Sequence, residues 1–147
     1  SKVLNNDMKE IIMALMIWIG ANTNYNVDVL EPKILFVTQD QLEQAYYGGE
    51  KYEGVTLHGF YDTKLNLIIL PDTWDRTDPW NISVLLHETI HYLQDVNQMK
   101  YPCIEEMEKD TWPLQKQYLK EEHNFDWDYD KLWHLLISSC PSAGPYG

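Results

Sequence analysis

Two histidines four residues apart, with a glutamate beside the first, are the residues of this chain best suited to chemistry: His87-Glu88-Thr89-Ile90-His91. On an α-helix this spacing puts both imidazoles on one face, where both can reach a single Zn²⁺. Glu88 lies about 100° further round the helix, so its carboxylate flanks the metal. The pattern predicts one zinc ion held by His87 and His91, with Glu88 as the general base that activates a water.

The residues around this motif predict a single helix from about 79 to 97. Asp78-Pro79 supplies a helix N-cap and a proline at the first helical position. Apolar residues then recur at helical spacing, and Gln94 or Asp95 extends the polar strip that His87 and His91 begin. A chance pair of surface histidines is the alternative, but packing alone does not account for this register on a capped, largely apolar helix.

Catalytic zinc takes three protein ligands and keeps one position open, so a third ligand must come from outside the motif. The acidic run at 105–108 is the nearest source, and helical phase favours Glu108, which shares a face with Thr111, Trp112 and Gln115. Glu106 remains the alternative ligand, since Asp110 follows it by one turn. Four side chains are candidates to hydrogen-bond the ligand histidines and orient them: Gln94, Asp95, Asp110 and Gln115.

The order of these motifs resembles the gluzincin group of zinc metallopeptidases, in which an HExxH helix is followed by a glutamate on the next helix. Residues 87–94 (HETIHYLQ), followed by 108–115 (EKDTWPLQ) and Tyr118, are similar to small uncharacterised metallopeptidase-like proteins of bacteria and phages. The resemblance covers roughly residues 55–120, and in it Glu108 matches the third ligand. Pro113 departs from the pattern.

This resemblance implies a minimal zincin-like domain that hydrolyses peptide bonds as a metalloendopeptidase does. Zincins place the metal helix beneath a small, mostly antiparallel sheet whose edge strand binds an extended peptide, and residues 65–70 would be that strand. Two further sets of candidates follow. Tyr61, Trp74, Trp80 and Trp112 would line the substrate cleft, and Tyr118, His123 or His134 would stabilise the oxyanion. The alternative function is a non-catalytic zinc-binding or interaction module, such as a phage-associated protein.

Composition limits the partners of the chain. It has 147 residues, 44% of them hydrophobic, which is enough for one domain spanning 1–147 with its own core. A net charge of −12 would repel a phosphate backbone or an anionic membrane surface, so an extended peptide or protein substrate is favoured and nucleic acid is not. The longest apolar run, 11–19, is about half a membrane span, and no signal peptide is visible. We expect a soluble protein, cytoplasmic or phage-associated.

Hydrophobic patterning predicts an α+β fold. Before the motif helix, the expected elements are a helix from Met8 to Ile19 ended by Gly20, a strand at 33–37, a helix from a Thr38 capping box to Tyr47, and a hairpin of 55–61 with 65–70. After the motif helix, we expect a helical segment at 103–120 interrupted by Pro113, a last helix capped by Asp126, and a coil tail from Pro141 to Gly147. The two cysteines, Cys103 and Cys140, are predicted to be separate thiols, with a disulfide as the alternative.

Overall fold

The computed structural model of the chain describes residues 2–3, 6–49 and 56–141. Its elements, in chain order, are β1 (Lys2–Val3), α1 (Asn6–Asn22), β2 (Lys33–Val37), α2 (Gln39–Tyr47), β3 (Phe60–Asp62), β4 (Leu67–Pro71), α3 (Pro79–Val96), a 3₁₀ turn (Ile104–Met107), α4 (Glu108–His123) and α5 (Lys131–Ile137). Helices packed around one small sheet make the fold α+β, which confirms the prediction. No helix in the described ranges is long and apolar enough to cross a membrane.

The four strands form one sheet in the order β1-β2-β4-β3. β2 and β4 run parallel to each other. β1 pairs antiparallel with the outer side of β2, and β3 pairs antiparallel with the outer side of β4. The prediction that residues 65–70 form a free edge is therefore wrong, because β4 is hydrogen-bonded on both sides. Its unbroken apolar run, Ile68, Ile69 and Leu70, is buried on both faces, as in an internal strand. The outer strand on this side of the described sheet is β3.

The hydrophobic core lies between the sheet, α1 and α3. α1 does not end at Gly20 as predicted but continues to Asn22. Gly20 is a packing residue here, since a Cβ at this position would lie 2.7 Å from Val27 Cγ2. α1 begins at Asn6, two residues before the predicted start at Met8. The spacing of Asp7 and Glu10 also predicts a capping box, but the Asp7 side chain lies outside the described part.

α2 and α3 begin as the sequence predicts. Thr38 and Gln41 form the reciprocal capping box of α2, which ends at Gly48 in the left-handed conformation. In α3 the Asp78 carboxylate accepts a hydrogen bond from the Trp80 backbone N–H, and Pro79 occupies the first position. The α3 side chains that face the core are fully buried: Leu85, Leu86, Ile90 and Leu93.

The C-terminal third differs from the prediction in three places. Pro113 lies inside α4, which continues past it to His123. Because proline has no N–H, the carbonyl four residues earlier lacks its helical hydrogen bond. The cap of α5 is Asp130, which accepts from the Trp133 N–H, whereas Asp126 pairs with Lys120 on the preceding helix.

The third difference concerns the cysteines. Cys103 and Cys140 are not separate thiols but form a disulfide, with Cα atoms 5.7 Å apart. The bond joins the segment just before α4 to the residues just after α5. Of the expected coil tail from Pro141 to Gly147, only Pro141 is described, and it is exposed.

Candidate metal centre

The side chains of His87, His91 and Glu108 converge at one point between α3 and α4. His91 Nε2 lies 2.5 Å from Glu108 Oε1, and His87 Nε2 lies 3.2 Å from Glu108 Oε2. Glu108 is the first residue of α4, and the 3₁₀ turn before it directs its carboxylate towards α3. Two imidazole nitrogens and one carboxylate therefore face a common centre.

Hydrogen bonds fix the tautomer of the His91 ring. The Gln94 amide nitrogen donates to the backbone oxygen of Met107 at 3.1 Å, and a carbonyl oxygen can only accept. The amide oxygen of Gln94 must then be the atom 2.8 Å from His91 Nδ1. Nδ1 is therefore the donor to Gln94, and Nε2 is the ring nitrogen that faces Glu108 and the common centre.

The His87 ring is oriented in the same way by a glutamine on α4, Gln115. Ser83 Oγ donates its single hydrogen to the Trp80 carbonyl at 2.7 Å, so it accepts from the Gln115 amide nitrogen at 3.0 Å. This leaves the Gln115 oxygen, 2.9 Å from His87 Nδ1, as the acceptor of the ring N–H. Nε2 of His87 is then the ring nitrogen that faces Glu108 and the common centre.

These residues fit a zinc ion. Two neutral imidazoles and one carboxylate are the donor set of many catalytic zinc sites, and a hydrogen bond from the second ring nitrogen is the usual support of a metal-binding histidine. Gln94 is 1% exposed and Gln115 is 3% exposed, so both amide groups are fixed by the fold.

The electrostatics of the centre favour a positive charge. Burial lowers the pKa of the His87 imidazole, but the carboxylates of Glu108 and Glu88 outweigh it and raise that pKa to about 9. Burial raises the pKa of the Glu108 carboxyl, yet His87 and His91 together hold it far below its ordinary value. The same groups that favour a proton on His87 favour a metal cation at the centre.

Glu88 lies next to the centre with its carboxylate in the cleft. It is 6% exposed, and its carboxylate oxygen and the histidine nitrogens all lie within 4.8 Å of one another. Burial raises the pKa of Glu88; His87 and His91 lower it in part, and Glu108 raises it further. A carboxylate in this setting is a stronger base than an exposed glutamate.

A cleft of about 790 Å³ opens over the centre. One wall is β3 with the segment before it, and the other is a group of aromatic side chains: Trp80, Trp112, Trp127, Tyr129 and Trp133. Of the aromatics predicted to line the cleft, Tyr61, Trp80 and Trp112 do so. Trp74 does not, because it packs on Phe36 and its indole N–H donates to the Asn81 carbonyl at 2.6 Å.

The remaining candidates from the acidic segments lie elsewhere. Glu106 forms an ion pair with Lys109 and lies beside the disulfide, so the carboxylate that meets the histidines is that of Glu108. Asp95 accepts from the Tyr61 hydroxyl at 2.6 Å and holds β3 to α3 rather than orienting a histidine. Asp110 accepts from the Tyr25 hydroxyl at 3.4 Å.

The three candidate oxyanion stabilisers are also placed away from the reacting position. Tyr118 and His123 contact each other, with His123 Nε2 3.3 Å from the Tyr118 hydroxyl, and neither lines the cleft. His134 Nε2 lies 2.8 Å from the backbone oxygen of Glu108. His134 therefore contacts the proposed ligand residue.

The sequence reasoning missed Trp127, Tyr129 and Trp133 of the aromatic wall, and it also missed the cleft residues Tyr46 and His58. Tyr46 lines the cleft, and burial raises the pKa of its hydroxyl, with further contributions from Tyr47 and from the carboxylates of Glu108 and Glu88. His58 packs edge-on against Trp80, and burial lowers its pKa, which favours the neutral ring. Neither residue stands at a recognisable spacing from the motif, so only the fold brings them to the cleft.

Comparison with known proteins gives one match. No curated protein and no solved structure matches the chain. A family model described as a domain of unknown function, DUF6647, matches residues 5–144, which is nearly the whole sequence. The chain therefore belongs to the DUF6647 family.

Proposed function

We propose that this protein is a zinc-dependent peptidase with a zincin-like fold. The observation that carries the proposal is the convergence of His87, His91 and Glu108, with both Nδ1 atoms bonded to buried amide oxygens. This arrangement directs two imidazole nitrogens and one carboxylate to one position beside an open cleft, where a zinc ion would replace the protons that they share, as a catalytic zinc site requires.

In the proposed reaction, the zinc ion and the side chain of Glu88 have separate roles. A bound Zn²⁺ supplies Lewis-acid chemistry, since it acidifies a water and polarises a carbonyl. Glu88 acts as the general base: its carboxylate accepts the proton of the attacking water and then donates it to the leaving amine. Its burial supports this role because the raised pKa brings the carboxyl nearer to the working pH.

The cleft suits an extended peptide. β3 pairs with β4 on one side, and its other side borders the cleft, so its backbone can pair with a substrate strand. The aromatic wall opposite offers a surface for a bulky apolar side chain next to the scissile bond. We therefore infer a peptide substrate with a large hydrophobic or aromatic residue, and a preference for cationic peptides that weakens as salt rises, given the net charge of −12.

The Glu88→Gln substitution tests the proposal. Zinc-loaded protein should cleave members of an unstructured, fluorescence-quenched peptide library, and a chelator such as phenanthroline should abolish cleavage. Glu88→Gln should keep the zinc and lower kcat by about 10²- to 10⁴-fold, because glutamine cannot accept the proton. Glu122→Gln, an exposed position on α4, is the matched control and should leave kcat unchanged.

Two results would count against the proposal. A wild-type protein that does not bind zinc stoichiometrically would remove its basis. A zinc-loaded protein that cleaves no peptide would favour the alternative of a non-catalytic zinc-binding module.

A further inference from the structure

Glu108 is the most exposed of the three proposed ligands. Its side chain is 25% exposed, compared with 15% for His87 and 12% for His91. The two histidines project from a helix embedded in the core, whereas Glu108 begins a helix at the rim of the cleft. Its position therefore depends on a few directed contacts.

Three of these contacts come from hydrogen-bond donors. Thr111 Oγ1 and Trp112 Nε1 each donate to Glu108 Oε2 at 3.1 Å. His134 Nε2 must also be a donor, because the atom 2.8 Å from it is the Glu108 carbonyl oxygen. The two side-chain donors act on Oε2, while Oε1 is the oxygen nearest His91.

Neighbouring rings fix the direction of the Trp112 N–H bond. The His134 ring stacks on the indole, with centroids 5.1 Å apart and planes 25° apart. Tyr129 contacts the same indole edge-on at 5.4 Å, and Trp127 lies 5.5 Å away. An indole held on several sides cannot rotate, so its N–H stays aimed at the carboxylate.

His134 itself stands on a weakly packed element. None of the α5 residues is buried, and Leu132, Leu135 and Leu136 are all more than half exposed. The described packing of α5 is mainly against α4. The disulfide from Cys140 to Cys103 ties the end of α5 to the segment five residues before Glu108. Without this bond, little apolar burial would hold His134 in place.

We propose that Trp112 and His134 are positioning residues for Glu108, and that the Cys103–Cys140 disulfide keeps His134 against it. This inference rests on the proposed zinc site. Trp112 orients the carboxylate through its N–H, and His134 orients both the indole and the Glu108 backbone. The affinity for zinc therefore depends on α5, which contributes no ligand.

The test measures the dissociation constant for Zn²⁺ by competition with a chromophoric chelator, starting from metal-free protein. Trp112→Phe keeps a ring in the stack but removes the N–H donor, and His134→Phe keeps a stacking ring but removes the contact with Glu108. Each should weaken zinc binding by about 10-fold or more, within the range for groups that support a metal ligand.

Two matched controls separate positioning from general damage. Trp18→Phe also removes an indole bond to a carboxylate, that of Glu121 at 3.2 Å, but away from the cleft. His123→Phe removes a histidine near the end of α4 that contacts Tyr118. Both should bind zinc within about twofold of wild type, and circular dichroism should show all four variants folded.

The disulfide is tested by Cys103→Ser with Cys140→Ser, which leaves no thiol that could bind zinc. This variant should weaken zinc binding about as much as His134→Phe, and adding His134→Phe to it should cause little further loss, because both changes act on the same contact.

Unchanged affinity in Trp112→Phe and His134→Phe, or equal losses in the controls, would overturn the positioning roles while leaving the zinc site intact. A wild-type protein that does not bind zinc would instead overturn both proposals.

Discussion

The two sides of the proposed metal centre are supported in different ways. His87 and His91 stand on α3, a helix with eleven buried residues, and two buried glutamines hold their rings, Gln94 from α3 and Gln115 from α4. Glu108 begins α4 and is held at the rim by Thr111 and Trp112 of the same helix. It is also held by His134 of α5, a helix with no buried residue. The first side is positioned by the hydrophobic core and the second by a few polar contacts. A change in conditions that loosens α5 should therefore affect Glu108 and leave the histidines in place.

The largest effect is expected from removing a ligand on the core side. His91→Ala should lower zinc affinity by more than about 100-fold, beyond the range for a supporting group, because it deletes a donor atom. It also leaves the buried Gln94 oxygen without its donor, which costs about 1–3 kcal/mol of stability. Isothermal titration with Zn²⁺ and denaturant unfolding measure the two effects. Retention of near wild-type affinity would show that His91 is not a ligand.

An intermediate effect is expected at the glutamine that supports His87. Gln115→Leu keeps the side-chain volume but removes the acceptor of the Nδ1–H, so zinc affinity should fall by about 10- to 100-fold. Gln117→Leu, on the solvent side of the same helix, is the control, since its amide bonds only exposed groups in the described structure. The same chelator competition applies. Equal affinities in the two variants would show that the bond to His87 does not matter.

The smallest effect is expected at Tyr25, which contacts Gln94 rather than a ligand histidine. The Tyr25 hydroxyl accepts a bond from the Gln94 amide at 3.3 Å, but the same nitrogen also donates to Met107. Tyr25→Phe should therefore lower zinc affinity by less than about threefold, because Gln94 keeps the bond that orients its oxygen towards His91. A loss as large as that of Gln115→Leu would mean that the core side also depends on peripheral contacts.

Local signals in the sequence were sufficient for the elements that carry the histidines. Asp78-Pro79 and the apolar periodicity place α3 within one residue of its observed end, and the capping box at Thr38 and Gln41 places α2. Glu108 was also singled out by its helical phase with Thr111, Trp112 and Gln115, which lie on the same helix, α4. Helix caps and periodicity act over a few residues, so one sequence is enough to show them.

Pairings between distant segments were predicted poorly. The continuous run at 67–70 signals a strand buried on both faces, but it does not say which strands lie on either side. Cys103 and Cys140 are 37 residues apart, and no spacing rule foretells that their Cα atoms lie 5.7 Å apart. His134 reaches Glu108 only because α5 folds back on α4.

The loop closed by the disulfide contains the whole of α4, so reduction of this bond should affect the proposed metal centre. Cross-linking a loop of this length removes unfolded-state entropy worth about 4 kcal/mol. Such bonds persist in oxidising compartments and are opened by the thiol pool of a cytosol. We therefore expect the chain to exist in two forms. In the oxidised form the disulfide holds α5 next to Glu108, whereas in the reduced form the two histidines stay in place and the Glu108 carboxylate is held less firmly.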